Sequence, residues 1–328
     1  MRRERLQNHI AGSVFTLPVC AIVAAVLWWI PEQYGREGFS GFVFDVPRGI
    51  AFALMVVATC VLIEMNNRNL LLRIRSRLVS STWLIAMAVI PSTHIYSKGL
   101  VAAVCVAASL YVLFFTYQKR ECQINTFHWA LLVGVGCIFV PHVIGFLLLF
   151  LWYQIGFLRS MSLRSFCAAL VGCIFPLCLW VGYWLIQNDY TELYAWLDTL
   201  LAYDPIALEN YLVLTVQQVA SWGLITLLGL FGAIHYLNTS YNDRIQVRML
   251  LYILTCQFFV VEAFVCLQPQ HLDAMLPVLM VTASPLIAHF FTLTSSWFTN
   301  SLFVLSVLAF AGLAYLNLFY PPVVWTLL

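Results

Sequence analysis

Apolar runs long enough to cross a lipid bilayer recur along the whole chain. A helix needs about 20 apolar residues to span the hydrocarbon core, with a range of about 17 to 25. Of the 328 residues, 62% are hydrophobic and only 9% are charged, whereas a soluble domain carries about 25% charged residues. A soluble fold could not hide this much apolar surface from water. The sequence therefore predicts an all-α, polytopic integral membrane protein.

The apolar runs differ in how clearly each defines a helix. The clear spans are Ile10–Ile30, Gly49–Ile63, Gly99–Tyr117, Ser165–Ile186, Leu212–Ile234, Met249–Leu267, Met275–Leu293 and Ser301–Tyr320. Two other regions are irregular. Thr82–Tyr96 is short and contains Pro91, and Phe127–Phe157 is long and is interrupted by Pro141.

The basic residues predict how the chain is threaded, because cytoplasmic loops carry the excess of Lys and Arg. Thirteen of the sixteen basic residues lie in five short segments, which are Arg2–Arg5, Arg68–Arg77, Lys119–Arg120, Arg159–Arg164 and Arg244–Arg248. All five face one side only if Thr82–Tyr96 is a span and Phe127–Phe157 is two short helices that meet near Pro141 and His142. The prediction is about 11 transmembrane helices, with the N-terminus in and the C-terminus out.

The loops predicted to lie outside are acidic, which agrees with this orientation. They contain Glu32, Glu37, Asp45, Asp189, Glu192, Asp198, Asp204, Glu209 and Asp273. Within them, apolar residues recur at helical spacing over Asn188–Tyr203, and acidic residues fall largely between them. This pattern predicts one amphipathic helix on the outer leaflet, with an ordinary ordered loop as the alternative.

No polar linker separates two cores, so the sequence predicts a single helical membrane domain over residues 1–328. In this scheme residues 10–186 hold the first seven spans and residues 187–211 hold the outer loop with its amphipathic helix. Residues 212–328 then hold the last four spans.

The candidate functional residues are ionisable groups at or within the membrane, because such groups are costly in lipid and usually face a cavity. Glu262 lies inside an apolar helix, where it is either a proton or cation carrier or a hydrogen-bonded acid that joins two helices. His94, His142, His271 and Asp273 are predicted to line a cavity on the outer side. Such groups can transfer protons or hold a divalent metal, although each alone also fits a hydrogen-bonded helix end.

Arg36, Arg48 and Lys98 are the basic residues predicted to lie outside. Guanidinium groups bind phosphate in a two-pronged geometry, so these residues are candidates for lipid-phosphate binding. The alternative is that they form ion pairs with the neighbouring acids.

Two stretches, Asn69–Arg77 with the following Trp83 helix and Leu276–Ala288, resemble an uncharacterised family of multi-pass inner-membrane proteins from Bacteroidota. This resemblance implies a bacterial inner (cytoplasmic) membrane protein. That family has no established activity.

The layout is also similar to GT-C-type lipid-dependent glycosyltransferases, which have an acidic first outer loop followed by short helical pairs. Gly134-x-Gly136-x4-Pro141, followed by an apolar run and Arg159, resembles their recurring segment. The resemblance implies that Glu32 or Asp45 is the catalytic acid or base. It also implies that a polyprenyl-phosphate lipid is bound by Arg36, Arg48 or Lys98.

Three functions therefore stay open. The first is a GT-C-like enzyme or enzyme relative that handles a polyprenyl-linked glycan at the outer leaflet. The second is a non-catalytic membrane subunit of a cell-envelope assembly or secretion complex, which would bury the small-residue face of Gly223, Gly229 and Gly232 against another chain. The third is a transporter, which Glu262 and the broken helices favour. No basic cluster interleaved with aromatic residues suggests a nucleic-acid partner.

Overall fold

A computed structural model describes residues 6–31, 41–74 and 76–323, and within these ranges every regular element is helical. The α-helices are α1 Leu6–Gly12, α2 Thr16–Trp29, α3 Val46–Asn69, α4 Leu78–Val89, α5 Lys98–Phe114, α6 Gln123–Phe139, α7 Gly145–Gly156, α8 Leu163–Gln187, α9 Thr191–Leu201, α10 Val216–Thr239, α11 Ile245–Leu267, α12 Leu272–Leu293 and α13 Trp297–Phe319. Short 3-10 turns cover Pro91–Thr93, Pro141–Ile144, Leu208–Val213, Ser240–Asn242 and Pro269–His271.

Six of the described helices are long and apolar enough to cross a membrane, namely α3, α8, α10, α11, α12 and α13. The pair α1 and α2 meets the same criterion together but is bent by 88°. Helices α4, α5 and α6 are shorter and apolar, as is α7 with its preceding 3-10 turn. These lengths and compositions are those of a multi-pass membrane protein.

The structure confirms one predicted helix break and adds another. Phe127–Phe157 is divided into α6 and α7 at Pro141, whose ring and missing N–H disfavour a continuous helix. The sequence predicted one span over Ile10–Ile30, but the chain turns sharply after Gly12. Glycine is a poor helix former, and the Thr16 hydroxyl, 2.5 Å from the Ile10 carbonyl oxygen, stabilises the bend.

Local capping chemistry sets several helix ends. Asp45 accepts a hydrogen bond from the Arg48 backbone N–H at 2.9 Å and begins α3, with Pro47 in the first turn. Thr215 and Ser296 each begin a helix with a reciprocal capping box. These caps satisfy backbone donors that a helix start otherwise leaves without a partner.

Two compact units make up the chain, one formed by Met1–Ser97 with Ile206–Leu328 and the other by Lys98–Pro205. In the first unit α12 is the central helix, because 94% of its apolar stretch is buried within the protein. It packs against α4, α10 and α11. A helix that is apolar on all sides is expected in such a core position.

In the second unit, α6 packs between α5 and α8. The contact between α6 and α8 is close because glycines lie at the crossing. A Cβ atom at Gly134 would lie 2.4 Å from the Cys173 carbonyl oxygen, and one at Gly172 would lie 2.5 Å from that of Phe127. Small residues at helix crossings allow this close backbone approach in membrane proteins.

The predicted amphipathic segment forms α9, which belongs to the second unit. Trp196 anchors it, since its indole N–H donates to the Cys137 carbonyl oxygen at 2.8 Å. Tyr194, Leu197 and Leu201 are exposed on α9. The helix is thus confirmed, while its placement on the outer leaflet stays a prediction.

Replacing Gly172 by alanine should destabilise the protein, because the added methyl group meets the Phe127 carbonyl. Overpacking of this kind costs about 1–3 kcal/mol. Gly182 is the matched control on the same helix, because a Cβ atom there meets nothing within 4 Å. Thermal unfolding in detergent should show a lower midpoint for Gly172→Ala and an unchanged or higher one for Gly182→Ala. Equal midpoints would contradict the close packing of α6 and α8.

Candidate functional site

Arg48 lies where α2 ends and α3 begins, and it is 5% exposed. Its Nη1 atom donates to the carbonyl oxygens of Trp28 at 3.3 Å and Ile30 at 3.5 Å. A cation at a helix C-terminus also interacts favourably with the helix dipole. Arg48 thus binds the end of α2 while bringing a buried positive charge to this position.

Trp28, Asp45, Arg48 and His94 form one cluster in the first unit, which we name the Arg48 cluster. The Trp28 indole N–H donates to the Arg48 carbonyl oxygen at 3.3 Å. The centroids of the Trp28 and His94 rings are 4.5 Å apart. Asp45 Oδ2 lies 3.8 Å from Arg48 Nε, and the Asp45 side chain is 45% exposed. The cluster therefore combines a buried cation, a buried imidazole and an accessible carboxylate.

A cavity of about 720 Å³ lies in the same unit. Its walls are almost entirely apolar and come mainly from α1, α2, α4 and α13. Representative lining residues are Val19, Cys20, Ser81, Phe303 and Ala314. Pockets for small organic ligands have volumes of about 300–1,000 Å³ and similarly apolar walls, so the cavity has the size and chemistry to hold a hydrocarbon group.

The cavity extends along α2 toward the Arg48 cluster. It is lined from Phe15 to Leu27, which corresponds to about 18 Å at 1.5 Å per helical residue. Leu27 directly precedes Trp28 of the cluster. Val89, another lining residue, directly follows Ala88, whose carbonyl oxygen lies 2.9 Å from His94 Nε2. Two cavity-lining residues, Leu27 and Val89, are therefore chain neighbours of Trp28 and of Ala88, while the four residues of the Arg48 cluster do not themselves line the cavity.

A second group of predicted site residues lies where α10, α11 and α12 meet. Glu262 is 8% exposed, and its Oε1 atom accepts hydrogen bonds from Trp222 Nε1 at 2.9 Å and Thr226 Oγ1 at 2.8 Å. Asp273 accepts one from Gln218 Nε2 at 2.8 Å. The His271 ring stacks on Phe264 with 5.8 Å between centroids. These residues do not line the large cavity.

A third cluster, the Asp243 cluster, comprises Arg73, His235, Asp243 and His289. Arg73 Nε donates to Asp243 Oδ1 at 2.7 Å, and His289 Nε2 lies 3.6 Å from Asp243 Oδ2. The His235 and His289 rings are 5.7 Å apart. Burial acts to raise the pKa of the Asp243 carboxyl, but the contacts with His289 and Arg73 lower it by a larger amount. The pKa of Asp243 therefore lies below its ordinary value.

The sequence did not single out Asp243, and it placed Arg73 in Arg68–Arg77, one of the basic segments predicted to be cytoplasmic. The sequence feature that points to the Asp243 cluster is His289, a histidine that lies in an apolar span beside Pro285. The structure shows His289 joining helices, because its ring contacts His235 and Tyr236 on α10.

The remaining predicted site residues belong to the second unit or lie outside the described residues. Lys98 is exposed, His142 is buried with its ring 5.7 Å from that of Tyr203, and both belong to the second unit. Glu32 and Arg36 lie outside the described residues. Within the described ranges, no group of three or more His, Cys, Asp or Glu side chains could hold a metal ion, so the geometry offers no support there for a divalent metal.

Comparison with protein families, curated proteins and solved structures finds no match.

Replacing Asp243 by asparagine should lower stability at neutral pH, because the Asp243 side chain is 1% exposed and loses its charged contact with Arg73. Hydrogen bonds to charged groups contribute about 1.5–3 kcal/mol, and the partial exposure of Arg73 reduces this to about 1–2 kcal/mol. The pKa of Asp243 is lower in the folded protein than in the unfolded chain. The stabilisation by ionised Asp243 is therefore complete above the unfolded pKa of about 3.9 and is lost as the pH falls through the folded pKa.

Denaturation of both proteins across pH provides the measurement. The difference between wild type and Asp243→Asn should be full at pH 7 and should shrink in strong acid. Arg244→Gln, which removes a neighbouring exposed cation, is the control and should leave stability nearly unchanged. A difference that is constant with pH would contradict an ionised Asp243.

Proposed function

We propose that this membrane protein binds a long-chain phosphate-bearing lipid, with the chain in the apolar cavity and the head at the Arg48 cluster. The single observation that carries the proposal is that the cavity-lining residues Leu27 and Val89 directly neighbour, along the chain, Trp28 of the cluster and Ala88, whose carbonyl oxygen contacts His94. An amphiphilic ligand requires this combination of a long apolar site and a charged end.

The length of the cavity favours a long-chain lipid. The hydrocarbon core is about 30 Å thick, so one leaflet accounts for about 15 Å. The lining of α2 alone extends for about 18 Å. A chain that fills the site is therefore at least about one leaflet long, a length that a long acyl or polyprenyl chain supplies.

The substrate class we propose is a polyprenyl-linked glycan, handled by a GT-C-like enzyme or enzyme relative. Asp45 is the accessible acid beside Arg48, and Glu32 is the other proposed acid or base. Arg48 supplies positive potential to a lipid phosphate. Arg36 and Lys98 are the other residues that we propose as lipid-phosphate binders. His94 is positioned beside Trp28 to take part in proton transfer.

We also propose the full topology, in a bacterial inner membrane. Six long helices, the bent pair α1–α2 and the four shorter apolar helices would make eleven spans. The basic loops favour a cytoplasmic N-terminus and an outer C-terminus. This orientation would place the Arg48 cluster and the acidic loops near the outer leaflet.

The other two functions have less support from the geometry. The subunit hypothesis used the face of Gly223, Gly229 and Gly232, but Gly229 already contacts Phe258 and Gly232 already contacts Leu286 within the chain. The transporter hypothesis required a cavity reaching Glu262, and the large cavity does not include it.

Removing the charge of Arg48 should weaken lipid binding. A lost charge-assisted contact of about 1.5 kcal/mol corresponds to about tenfold in affinity. Native mass spectrometry in lipid discs containing a polyprenyl phosphate should show this loss for Arg48→Gln. Arg48→Lys keeps the charge and tests whether the loss is electrostatic, and Arg244→Gln is the surface control. A folded Arg48→Gln protein with wild-type occupancy would refute the head site.

Filling the cavity should block the chain without altering the Arg48 cluster. Ala314 lines the cavity on α13, so Ala314→Phe should reduce polyprenyl-phosphate occupancy severalfold. Leu308 on the same helix is 62% exposed and does not line the cavity, so Leu308→Phe is the matched control. Equal lipid retention by the two variants would contradict the chain site.

A further inference from the structure

Glu262 is a buried carboxyl whose two described hydrogen-bond partners are uncharged donors. It lies on α11 and faces α10, where Trp222 Nε1 and Thr226 Oγ1 both donate to Oε1. Its second oxygen, Oε2, is buried and has no hydrogen-bond partner among the described residues. The residue is 8% exposed, so water does not supply the missing contact freely.

The groups on the surrounding elements do not provide a counter-charge. Tyr211 stacks on Trp222, and its hydroxyl donates to the Cys266 carbonyl. Asp273 is bonded to Gln218, and His271 lies against Phe264. No ion pair among the described residues includes Glu262.

An ionised carboxylate in this position would be very unfavourable. Transferring an isolated charge from water into a low-dielectric interior is strongly unfavourable, so such a group takes up a proton instead. A carboxyl protonated on Oε2 leaves Oε1 free to accept from Trp222 and Thr226, which matches the observed arrangement. The carboxyl then has one O–H donor in addition to its acceptors.

We propose that Glu262 is a proton-binding site, with its carboxyl neutral at physiological pH and its proton on Oε2. This inference is independent of the lipid-binding function, because Glu262 does not line the cavity. The bound proton stabilises the contact between α10 and α11, and its release would leave an anion buried between these helices. Phe259 and Val260, which are 40% and 43% exposed on α11, place the site near the apolar surface of the protein.

A membrane-soluble carbodiimide, dicyclohexylcarbodiimide, reacts with such a carboxyl. The carboxyl oxygen adds to the carbodiimide carbon while the proton moves to a nitrogen, which gives an O-acylisourea. Transfer of the acyl group to the other nitrogen then gives a stable N-acylurea. Every atom of both reactants remains in the product, and no oxidant or reductant is needed.

The experiment treats the full-length protein in detergent with this reagent at pH 6, 7 and 8 and maps adducts by mass spectrometry. We expect an adduct at Glu262 at all three pH values and none in Glu262→Gln. The exposed acids Glu192 and Asp198 are internal controls and should react much less. Labelling of Glu262 no stronger than that of these controls would overturn the proposal.

Two further measurements guard against a misfolded variant. The melting temperature of Glu262→Gln should equal that of wild type, because an amide oxygen accepts the same two hydrogen bonds and carries no charge. The infrared carbonyl band of a protonated carboxyl should be present in wild type and reduced in Glu262→Gln. A wild-type infrared spectrum without that difference would show instead that Glu262 is ionised.

Discussion

The whole structure depends on satisfying backbone carbonyl groups at helix ends where water is scarce. The last four carbonyls of a helix have no partner within it, and in lipid each unpaired group costs several kcal/mol. Side chains from other elements meet several of these carbonyls. Arg48 binds the end of α2, His94 and Asn317 bind the end of α4 at Ala88 and Val89, and Trp196 binds the end of α6.

The same constraint holds α1 in place. Gln7 is fully buried. Its side-chain amide nitrogen donates to the carbonyl oxygen of Phe291, in the last turn of α12, at 3.1 Å and to that of Thr294, which follows α12, at 2.6 Å. Because α1 turns by 88° from α2, this anchor places His9 and Ile10 on the wall of the cavity. The capping contacts therefore contribute to the shape of the cavity as well as to the stability of the helices.

The apolar runs were sufficient to predict an all-helical protein and most helix positions, because hydrophobic length is a strong signal in membrane proteins. Pro141 correctly predicted the break between α6 and α7, since proline affects the backbone locally. The bend after Gly12 was not predicted, because the local contact of Thr16 with Ile10 acts together with distant contacts of Gln7 at the end of α12. For the same reason Asp45, Arg48 and His94 were recognised as candidates, but their association through Trp28 was not. Asp243 was missed because its partners, Arg73 and His289, are far from it in sequence.

The most direct test of the lipid-binding account is photocrosslinking with a polyprenyl phosphate that carries a diazirine on its chain. The full-length protein would be irradiated in lipid discs, and the labelled peptides would be identified by mass spectrometry. The account predicts labels on α2, α4 and α13 at cavity residues such as Cys20, Ser81 and Ser306. Labels confined to the exposed face of α13, at Leu305 and Leu308, would show that the chain stays in the bilayer and would contradict the account.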